Sequence, residues 1–408
     1  MQRRTFLKIL GAGTAGLCTD GLAVGNNSTM ADQTRNCACG KCIRLFLSGD
    51  VMTGRGIDQI LPHPGKPQLY ESYMKSAKGY VEIAEQVNGP IEKPVAFDYI
   101  WGDALAELDY AAPDLRLINL ETAVTASEDF WPGKGINYRM HPANLPAITS
   151  AKIDGCIVAN NHVLDWGYDG LVETLETLDG VGIKAAGAGR NREEAEAAVV
   201  FELPGKGRVL LFAYGHISSG VPWDWRATEN QQGVNVLDNL SNEAVARVVA
   251  QVSAIKKPGD LVVVSIHWGG NWGYEIPGDH QRFAHRLIDE AGVGIVHGHS
   301  SHHPRGIEVY QNHPILYGCG DFLNDYEGIR GHENFRNDLT LMYLVTLDAT
   351  TGRLVELKMV PFQIRRFTLH HPSEHDQLWM LQTMNRECAV FGANVTSGED
   401  GHLELSWG

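Results

Sequence analysis

The chain has 408 residues, its 49 acidic side chains outnumber 34 basic ones, and its formal net charge is −15 at pH 7. This length exceeds what one ordinary hydrophobic core needs, so we expect one large domain with appendages. The acidic excess argues against a nucleic-acid partner and against nonspecific binding to anionic membranes. An anionic substrate would therefore need local positive charge.

The start of the chain has the pattern of an export signal. Residues 3–8 read R-R-T-F-L-K and precede a short Gly/Ala-rich apolar stretch. This pattern resembles a twin-arginine signal, and the stretch is too short and too polar for a membrane span. We predict that residues 1–36 are a signal and linker and that the protein is exported to the periplasm or cell envelope. The alternative interpretation is a disordered amphipathic tail.

Three of the seven cysteines, Cys37, Cys39 and Cys42, lie just before the first predicted strand. In an exported protein they favour a disulfide, whereas a metal clip needs a fourth ligand that the sequence does not identify. Cys156 and Cys319 lie inside apolar runs, and we predict that they are small buried residues rather than reactive thiols.

In the first half of the chain, short apolar runs alternate with helical patterns, which indicates an α/β fold with parallel strand pairing. A Pro-Gly-Lys-Gly turn between two further runs predicts an antiparallel hairpin and hence a mixed sheet. The predicted elements are strands 43–47, 115–120, 156–158 and 182–186, helices near 99–108, 145–149 and 170–178, and the hairpin 199–203 with 209–214.

The second half repeats this alternation. Asp279 is predicted to be the N-cap of a helix that ends at Gly292. The predicted elements are helix 244–255, strand 261–266, the helix from Asp279, strands 294–296, 307–310 and 315–317, the hairpin 339–347 with 354–360, helix 378–387 and a short tail.

Five apolar runs each end on residues that can hold a metal ion. In an open sheet that is buried on both faces, ligands bind beyond the carboxyl ends of the strands, so one sheet would bring these endings together. Taken alone, each has a plainer explanation, such as a turn or helix cap for Asp50. Together, carboxylates, a carboxamide and imidazoles suit a divalent ion such as Mn, Zn or Fe rather than Ca. The five endings are Asp50, Glu121, Asn161 with His162, His267 and His299.

The motifs around these residues occur in a fixed order: G-D-V-M-T-G-R-G, N-L-E-T, N-N-H-V-L-D-W-G, H-W-G and G-H-S-S-H-H-P-R-G. They resemble the CapA family of poly-gamma-glutamate (capsule) biosynthesis proteins, whose fold is related to calcineurin-like metallophosphatases. The resemblance implies a layered αββα sandwich with mixed sheets over residues 37–370, followed by a C-terminal helix and tail over 371–408.

The resemblance also implies roles for individual residues. His162 would be the general acid near the leaving group, and Asp50 would be both catalytic and a ligand. The implied metal ligands are Asp50, Glu121, Asn161, His267, His299 and His302.

Two positions depart from the metallophosphatase pattern. The first motif of those enzymes is D-x-H, whereas Asp50 is followed by Val51 and Met52. One imidazole ligand is therefore missing, which puts a second metal ion in question. Asp321 stands where relatives often have Asn, and it is either an additional ligand or a turn residue; we favour the turn.

Other polar residues near the motifs have two interpretations each. Arg55, between two glycines, is predicted to bind a substrate phosphate or carboxylate, or else it is a solvated loop arginine. Asp165 either orients His162 or caps the following helix. Trp268, Trp272 and Tyr274 either wall a substrate groove or pack in the interior.

These expectations favour an exported metal-dependent hydrolase, or an acyl- or phosphoryl-processing component, whose partner is an anionic polymer or a phosphoester. The alternatives are a noncatalytic protein that binds or guides the polymer with a structural metal, and an inert relative of the phosphatases without metal. The sequence leaves open the identity and number of the metal ions, one or two, as well as the oligomeric state and any peripheral membrane association.

Overall fold

The computed structural model describes residues 41–398 and 400–408. Its strands, in chain order, are β1 (Cys42–Val51), β2 (Leu115–Leu120), β3 (Ala123–Val124), β4 (Arg139–Met140), β5 (Gly155–Ile157), β6 (Lys184–Ala186), β7 (Ala188–Gly189), β8 (Val199–Leu203), β9 (Gly207–His216), β10 (Gly233–Val234), β11 (Val236–Leu237), β12 (Leu261–His267), β13 (Ile295–His299), β14 (Ile307–Tyr310), β15 (His313–Leu316), β16 (Asp321–Leu323), β17 (Leu339–Asp348), β18 (Leu354–Arg365), β19 (Thr368–His370), β20 (Ala393–Ser397) and β21 (Leu403–Trp407).

The α-helices in the same part of the chain are α1 (Gly56–Ile60), α2 (Lys78–Asn88), α3 (Ala104–Ala111), α4 (Pro146–Thr149), α5 (Gly167–Asp179), α6 (Arg192–Glu196), α7 (Asn242–Ile255), α8 (Gly278–Ala291) and α9 (Glu374–Ala389). Within the described residues, none of these helices combines the length and the apolar character that a membrane span requires.

Most strands belong to two mixed sheets. The larger sheet has ten strands, with β20-β21-β18-β17-β1-β2-β5-β6 in order and β16 and β19 alongside. The smaller sheet has seven, with β11-β9-β12-β13-β15-β14 in order and β8 beside β9. The prediction that a single sheet carries all five candidate endings is therefore wrong: β1, β2 and β5 belong to one sheet, β12 and β13 to the other.

The alternation of side chains along β9 shows how the layers stack. Val209 and Leu211 join the core shared with the larger sheet, whereas Leu210 and Phe212 join a second core with α7 and α8. Successive strand residues point to opposite faces, so the smaller sheet is buried on both sides. On the far side of the larger sheet, Phe46 packs against Phe322, and Phe322 packs against Trp101, which precedes α3 in the chain. These layers confirm the predicted αββα sandwich with mixed sheets.

Several predicted elements agree closely with the structure. The strand at 115–120 has the predicted bounds, and both predicted hairpins are antiparallel. The N-cap prediction for Asp279 is wrong, because α8 begins at Gly278 after Pro277, and Asp279 lies in the first turn. The helix ends at Gly292, as predicted, and Gly292 has the left-handed conformation.

The segment from residue 371, predicted as a helix and tail, contains more regular structure than its sequence suggested. After α9, strands β20 and β21 form an antiparallel pair, and β21 extends the larger sheet by pairing with β18. These two strands were not predicted because each has only five residues and its buried side chains alternate with more exposed ones.

The twin-arginine signal and the predictions for Cys37 and Cys39 lie outside the described residues. Cys42 is disulfide-bonded. Cys156 and Cys319 are buried free thiols, and burial raises the pKa of each, which confirms that they are structural.

Candidate metal centre

The carboxyl ends of strands from both sheets meet at one place. Asp50 of β1 is in register with Asn119 of β2 and with Asp321 of β16. His267 and His299, the last residues of β12 and β13, are in register with each other. Parallel strands end at the same edge of a sheet, so the two edges together present these side chains to a common buried space.

Asp50 is the centre of this space. Its side chain is fully buried; Oδ1 accepts a hydrogen bond from Asn119 Nδ2 at 2.7 Å, and Oδ2 has no hydrogen-bond partner. The same Asn119 amide donates to Glu121 Oε2 at 3.2 Å, which ties the two carboxylates together. Burial raises the pKa of Asp50 to about 7, and burial and Asp50 raise the pKa of Glu121. Two crowded, buried carboxylates with a free oxygen fit a site for a cation.

The first set of ligand atoms joins Asp50 to two imidazoles. One ligand atom from each of Asp50, His267 and His299 lies within 4.8 Å of the others. His267 Nδ1 is 2.7 Å from His299 Nδ1, and His267 Nε2 is 3.0 Å from Asn161 Oδ1 and 3.7 Å from Glu121 Oε1. Burial lowers the pKa of both histidines, which keeps them neutral and hence suited to bind a metal ion.

The second set shares Asp50 and adds His302 and Asp321, again within 4.8 Å of one another. His302 Nδ1 is 2.8 Å from Asp321 Oδ1; burial opposes protonation of His302, but Asp321 outweighs it and raises the pKa. The preference for a turn role of Asp321 is wrong, because this residue begins β16 and its side chain is buried in the site. Met52 is buried, and its Sδ atom lies 3.6 Å from the Tyr326 hydroxyl.

His162 lies beside these ligands, and a contact at its Nδ1 atom orients the ring. Its Nδ1 atom is 2.6 Å from Asp165 Oδ2, and its Nε2 atom is 3.8 Å from Glu121 Oε1. Asp165 therefore orients His162, and α5 begins at Gly167 without a side-chain cap. Lys134 Nζ lies 2.6 Å from Asp165 Oδ1 and 3.0 Å from His162 Nδ1. Burial, assisted by Lys134, lowers the pKa of His162 to about 4.

Arg55 is buried, and all three of its nitrogen atoms have partners within the protein. Nε and Nη2 donate to the two oxygens of Asp325, at 3.1 and 2.5 Å, and Nη1 donates to Glu71 at 2.9 Å and to the Tyr80 hydroxyl at 3.0 Å. The guanidinium also lies over the rings of Tyr80 and Tyr138. This geometry favours a structural role, and substrate binding by Arg55 stays a prediction.

Several residues that shape the site were not predicted from the motifs. Asn160 Nδ2 donates to Asn119 Oδ1 and to the Leu120 carbonyl, which joins the ends of β5 and β2. The Tyr138 hydroxyl is 3.0 Å from that of Tyr326. The asparagines stand inside the motifs N-L-E and N-N-H, where their position was a usable signal; the tyrosines lie in segments without a motif.

The three aromatic candidates divide into two groups. Trp268 is buried, stacks on His280 and donates its Nε1 hydrogen to the Tyr317 carbonyl, so it packs in the interior. Trp272 and Tyr274 are half-buried, and Trp272 lies 5.3 Å from the ring of His302. Trp272 therefore adjoins the candidate ligand His302 from a partly open surface, whereas Tyr274 packs against His303 and Phe335.

The fold and the site define the class: this is an α/β protein of the metallophosphatase-like type with a buried cluster of ligands that can hold a metal ion. The model of the family "Bacterial capsule synthesis protein PGA_cap" matches residues 44–326, which is more than half of the chain. The chain belongs to this family.

Named relatives agree with this assignment. The chain is 49% identical, over 89% of its own length and 96% of the relative, to a "Probable polyglutamine synthesis accessory protein" of Mycobacterium tuberculosis. It is 25% identical to the "PGA biosynthesis protein CapA" of Bacillus subtilis, over 87% of this chain and 80% of that protein. Identity to the "Capsule biosynthesis protein CapA" of Bacillus anthracis is 24%, over 69% and 60% of the two chains.

Proposed function

We propose that this protein is an exported metal-dependent hydrolase, or a component that processes acyl or phosphoryl groups, in poly-gamma-glutamate or capsule biosynthesis. Family membership and the names of the relatives support the process. The observation that carries the chemistry is the pair of ligand sets that share Asp50, whose Oδ2 atom is buried without a partner. We expect the ion to be Mn, Zn or Fe, because the ligands mix oxygen with imidazole nitrogen.

The ligands divide between two positions. Asp50, Glu121, Asn161, His267 and His299 would hold one ion. His302 and Asp321 would form a second position together with Asp50. Asp321 thereby supplies a charged ligand, whereas Met52 stands where the metallophosphatase pattern has an imidazole. The chain therefore has ligands for one ion or for two.

A bound divalent ion supplies Lewis acidity, which polarises a carbonyl or phosphoryl oxygen and strengthens water as a nucleophile. The chain itself positions the acid: Asp165 accepts the Nδ1 hydrogen of His162, which leaves Nε2 on the side of Glu121. Because burial and Lys134 keep His162 neutral, an anionic substrate beside Nε2 is what would favour the protonated form. His162 would then donate that proton to the leaving group.

The test compares three histidine variants by metal content and by turnover. His267→Ala should lose both metal and activity. His162→Gln should keep the metal and lose about 10²–10⁴ of the rate, as expected when a general acid is removed. His285→Gln is the matched control, because His285 lies on α8 and pairs with Glu308 away from the site. Elemental analysis gives the metal, and phosphoesters and gamma-glutamyl amides are the trial substrates.

If all three variants match the wild type in turnover, the proposal is rejected. The noncatalytic alternative predicts a different pattern: bound metal and polymer binding, without cleavage of any trial substrate by the wild type. Its motivation is the neutral state of His162 in the free protein. A wild type that holds no metal after incubation with Mn, Zn or Fe would contradict both interpretations.

A further inference from the structure

Three basic side chains lie together outside the metal centre, on the helix side of the smaller sheet. We call His216, His280 and Arg305 the basic cluster. His216 is the last residue of β9, and His280 is in the first turn of α8. Arg305 lies in the motif G-H-S-S-H-H-P-R-G, after the candidate ligand His302. All three are buried, with exposed fractions of 7%, 4% and 4%.

Two members of the basic cluster, Arg305 and His280, lie against Gly269. The position that a Cβ atom of Gly269 would occupy is 3.2 Å from Arg305 Nη1 and 3.3 Å from His280 Cε1. The ring centroids of His216 and His280 are 6.2 Å apart. Arg305 and His280 therefore meet on the same side of Gly269, with His216 next to His280.

His216 has a buried hydrogen-bond donor without an acceptor. His216 Nδ1 lies 2.6 Å from the Ser218 hydroxyl, which itself accepts from Gly269 N at 2.8 Å. Ser218 N donates to this Nδ1 atom, at 3.3 Å. The ring hydrogen must then be on Nε2. That atom is buried and has no partner.

Arg305 is also incompletely paired. Nη2 donates to the Gly270 carbonyl at 2.6 Å, and Nε is buried without a partner. Among the residues that the structure describes, no carboxylate forms an ion pair with Arg305, and burial alone lowers its pKa to about 10. A buried guanidinium without a counter-ion is costly, and its planar fork matches a carboxylate or phosphate.

Acceptor oxygens with negative charge would satisfy every unpaired group in the basic cluster. Buried polar groups in native proteins nearly always have a partner, so donors left over on adjacent residues indicate a ligand. The amino end of α8, which has 14 residues and no side-chain cap, adds a favourable field for an anion. Burial lowers the pKa of His216 and of His280, and Asp279 raises both pKa values in the opposite direction. The Asp279 side chain is exposed.

The basic cluster is joined to the metal centre by one short loop. Gly269 follows the candidate ligand His267 by two residues, and the Asn271 carbonyl accepts from His302 N at 2.9 Å. A polymer that spans this loop would place one unit at the metal centre and a neighbouring unit at the basic cluster.

We propose that the basic cluster binds a carboxylate of an acidic polymer, in a unit next to the one at the metal centre. This inference rests on the proposed function for the identity of the polymer. A polymer of glutamate carries a carboxylate on each unit, which provides the second anion that the cluster requires. The cluster is thereby a specificity site for chain length, because a single unit cannot occupy both places.

The test measures binding of a synthetic gamma-linked glutamate pentamer by calorimetry. Arg305→Gln and His216→Gln should each weaken binding by about tenfold or more, as expected for the loss of a hydrogen bond to a charged group. Arg353→Gln is the matched control: it makes the same change of charge at an exposed residue of the β17–β18 hairpin and should leave binding unchanged.

A gamma-linked isoglutamine pentamer, in which each alpha-carboxylate is replaced by a carboxamide, separates binding from support of the loop. The Arg305→Gln variant should bind it as the wild type does. Equal weakening for both pentamers would show that Arg305 only holds the Gly270 carbonyl, and it would overturn the proposal. The same holds if the variants bind the glutamate pentamer like the wild type, or if the wild type does not bind it.

His216→Gln keeps the test valid if Arg305→Gln fails to fold, because the Nε2 atom that it removes has no partner in the protein. Metal content, measured for each variant, should equal that of the wild type. The binding result does not depend on cleavage, so a protein that binds the pentamer through the cluster but hydrolyses nothing contradicts only the proposed enzymatic activity.

Discussion

At the scale of single residues, the surroundings of Arg55 show how a buried charge organises a loop. The exposed fraction of its side chain is 1%, as is that of Glu71, and Asp325 is fully buried. Arg55 also has a backbone φ of 48°, which a residue with a side chain adopts rarely. Such an arrangement persists only where its partners hold it, so the ion cluster fixes the turn directly after β1.

Replacing Arg55 by Met should therefore destabilise the protein. The change leaves Asp325 and Glu71 buried without a counter-ion, at a cost of about 3–5 kcal/mol in the free energy of unfolding. Unfolding in urea, followed by circular dichroism, measures this. Arg190→Met is the control, because Arg190 forms only exposed ion pairs and its removal should change stability little. An Arg55→Met protein with wild-type stability but impaired substrate binding would instead support the substrate role predicted from the sequence.

At the scale of elements, the end of β1 depends on a close approach between two backbone segments. The Asp50 amide donates to the Gly320 carbonyl at 2.9 Å. A Cβ atom on Gly49 would lie 1.7 Å from that same oxygen. The pairing of β1 with β2 also shifts register between Leu47 and Asp50. Only glycine lets β1 and the start of β16 come close enough to bring Asp50 beside Asp321.

Gly49→Ala should accordingly separate these strands. We expect a loss of about 3 kcal/mol or more in the free energy of unfolding, at the upper end of what overpacking costs. Metal content should fall as well, because Asp50 and Asp321 belong to one ligand set. Gly205→Ala is the comparison: it has open space but a φ of 76°, so it should cost about 1–2 kcal/mol and keep the metal. Equal losses in both variants would contradict the argument.

At the scale of the whole molecule, the two sheets are joined by their shared core and by polar contacts across it. His297 of β13 donates from Nε2 to the Ser48 carbonyl of β1 at 2.9 Å, and its Nδ1 atom is 3.0 Å from Ser265 Oγ. Burial lowers the pKa of His297 to about 4, so the neutral ring bridges the sheets. The ligands from the two sheets are held together by this interface.

The last 38 residues should be required for folding, although the sequence placed them outside the main domain. Met384 and Cys388 of α9 and Leu403 of β21 are buried in the main core. A chain that ends at residue 370 should not yield a folded monomer by size-exclusion chromatography. Met384→Ala should cost about 2–5 kcal/mol, whereas Leu378→Ala, at a half-exposed position of the same helix, should cost less than about 0.5 kcal/mol. A truncated protein with a cooperative unfolding transition would show that the segment is dispensable.

The sequence predicted the α/β class and most elements because their signals are local. The run L-R-L-I-N-L is fully buried in β2, and continuous apolar runs of this length indicate central strands. The N-cap of α8 was predicted two residues late, at Asp279 instead of Pro277, because Pro277 and Gly278 give no apolar signal. The strands after α9 were missed because pairing with β18, rather than their own pattern, stabilises them.

The sequence by itself determined which residue types stand at the strand ends, and hence the donors available for a metal ion. Only the tertiary structure decided how they group, because grouping depends on register and on the contact between two sheets. It placed Asp321 beside Asp50, gave each side-chain nitrogen of Arg55 a protein partner, and left Arg305 and His216 with unpaired donors. Hydrogen-bond partners distant in sequence set these differences, and no local pattern encodes them.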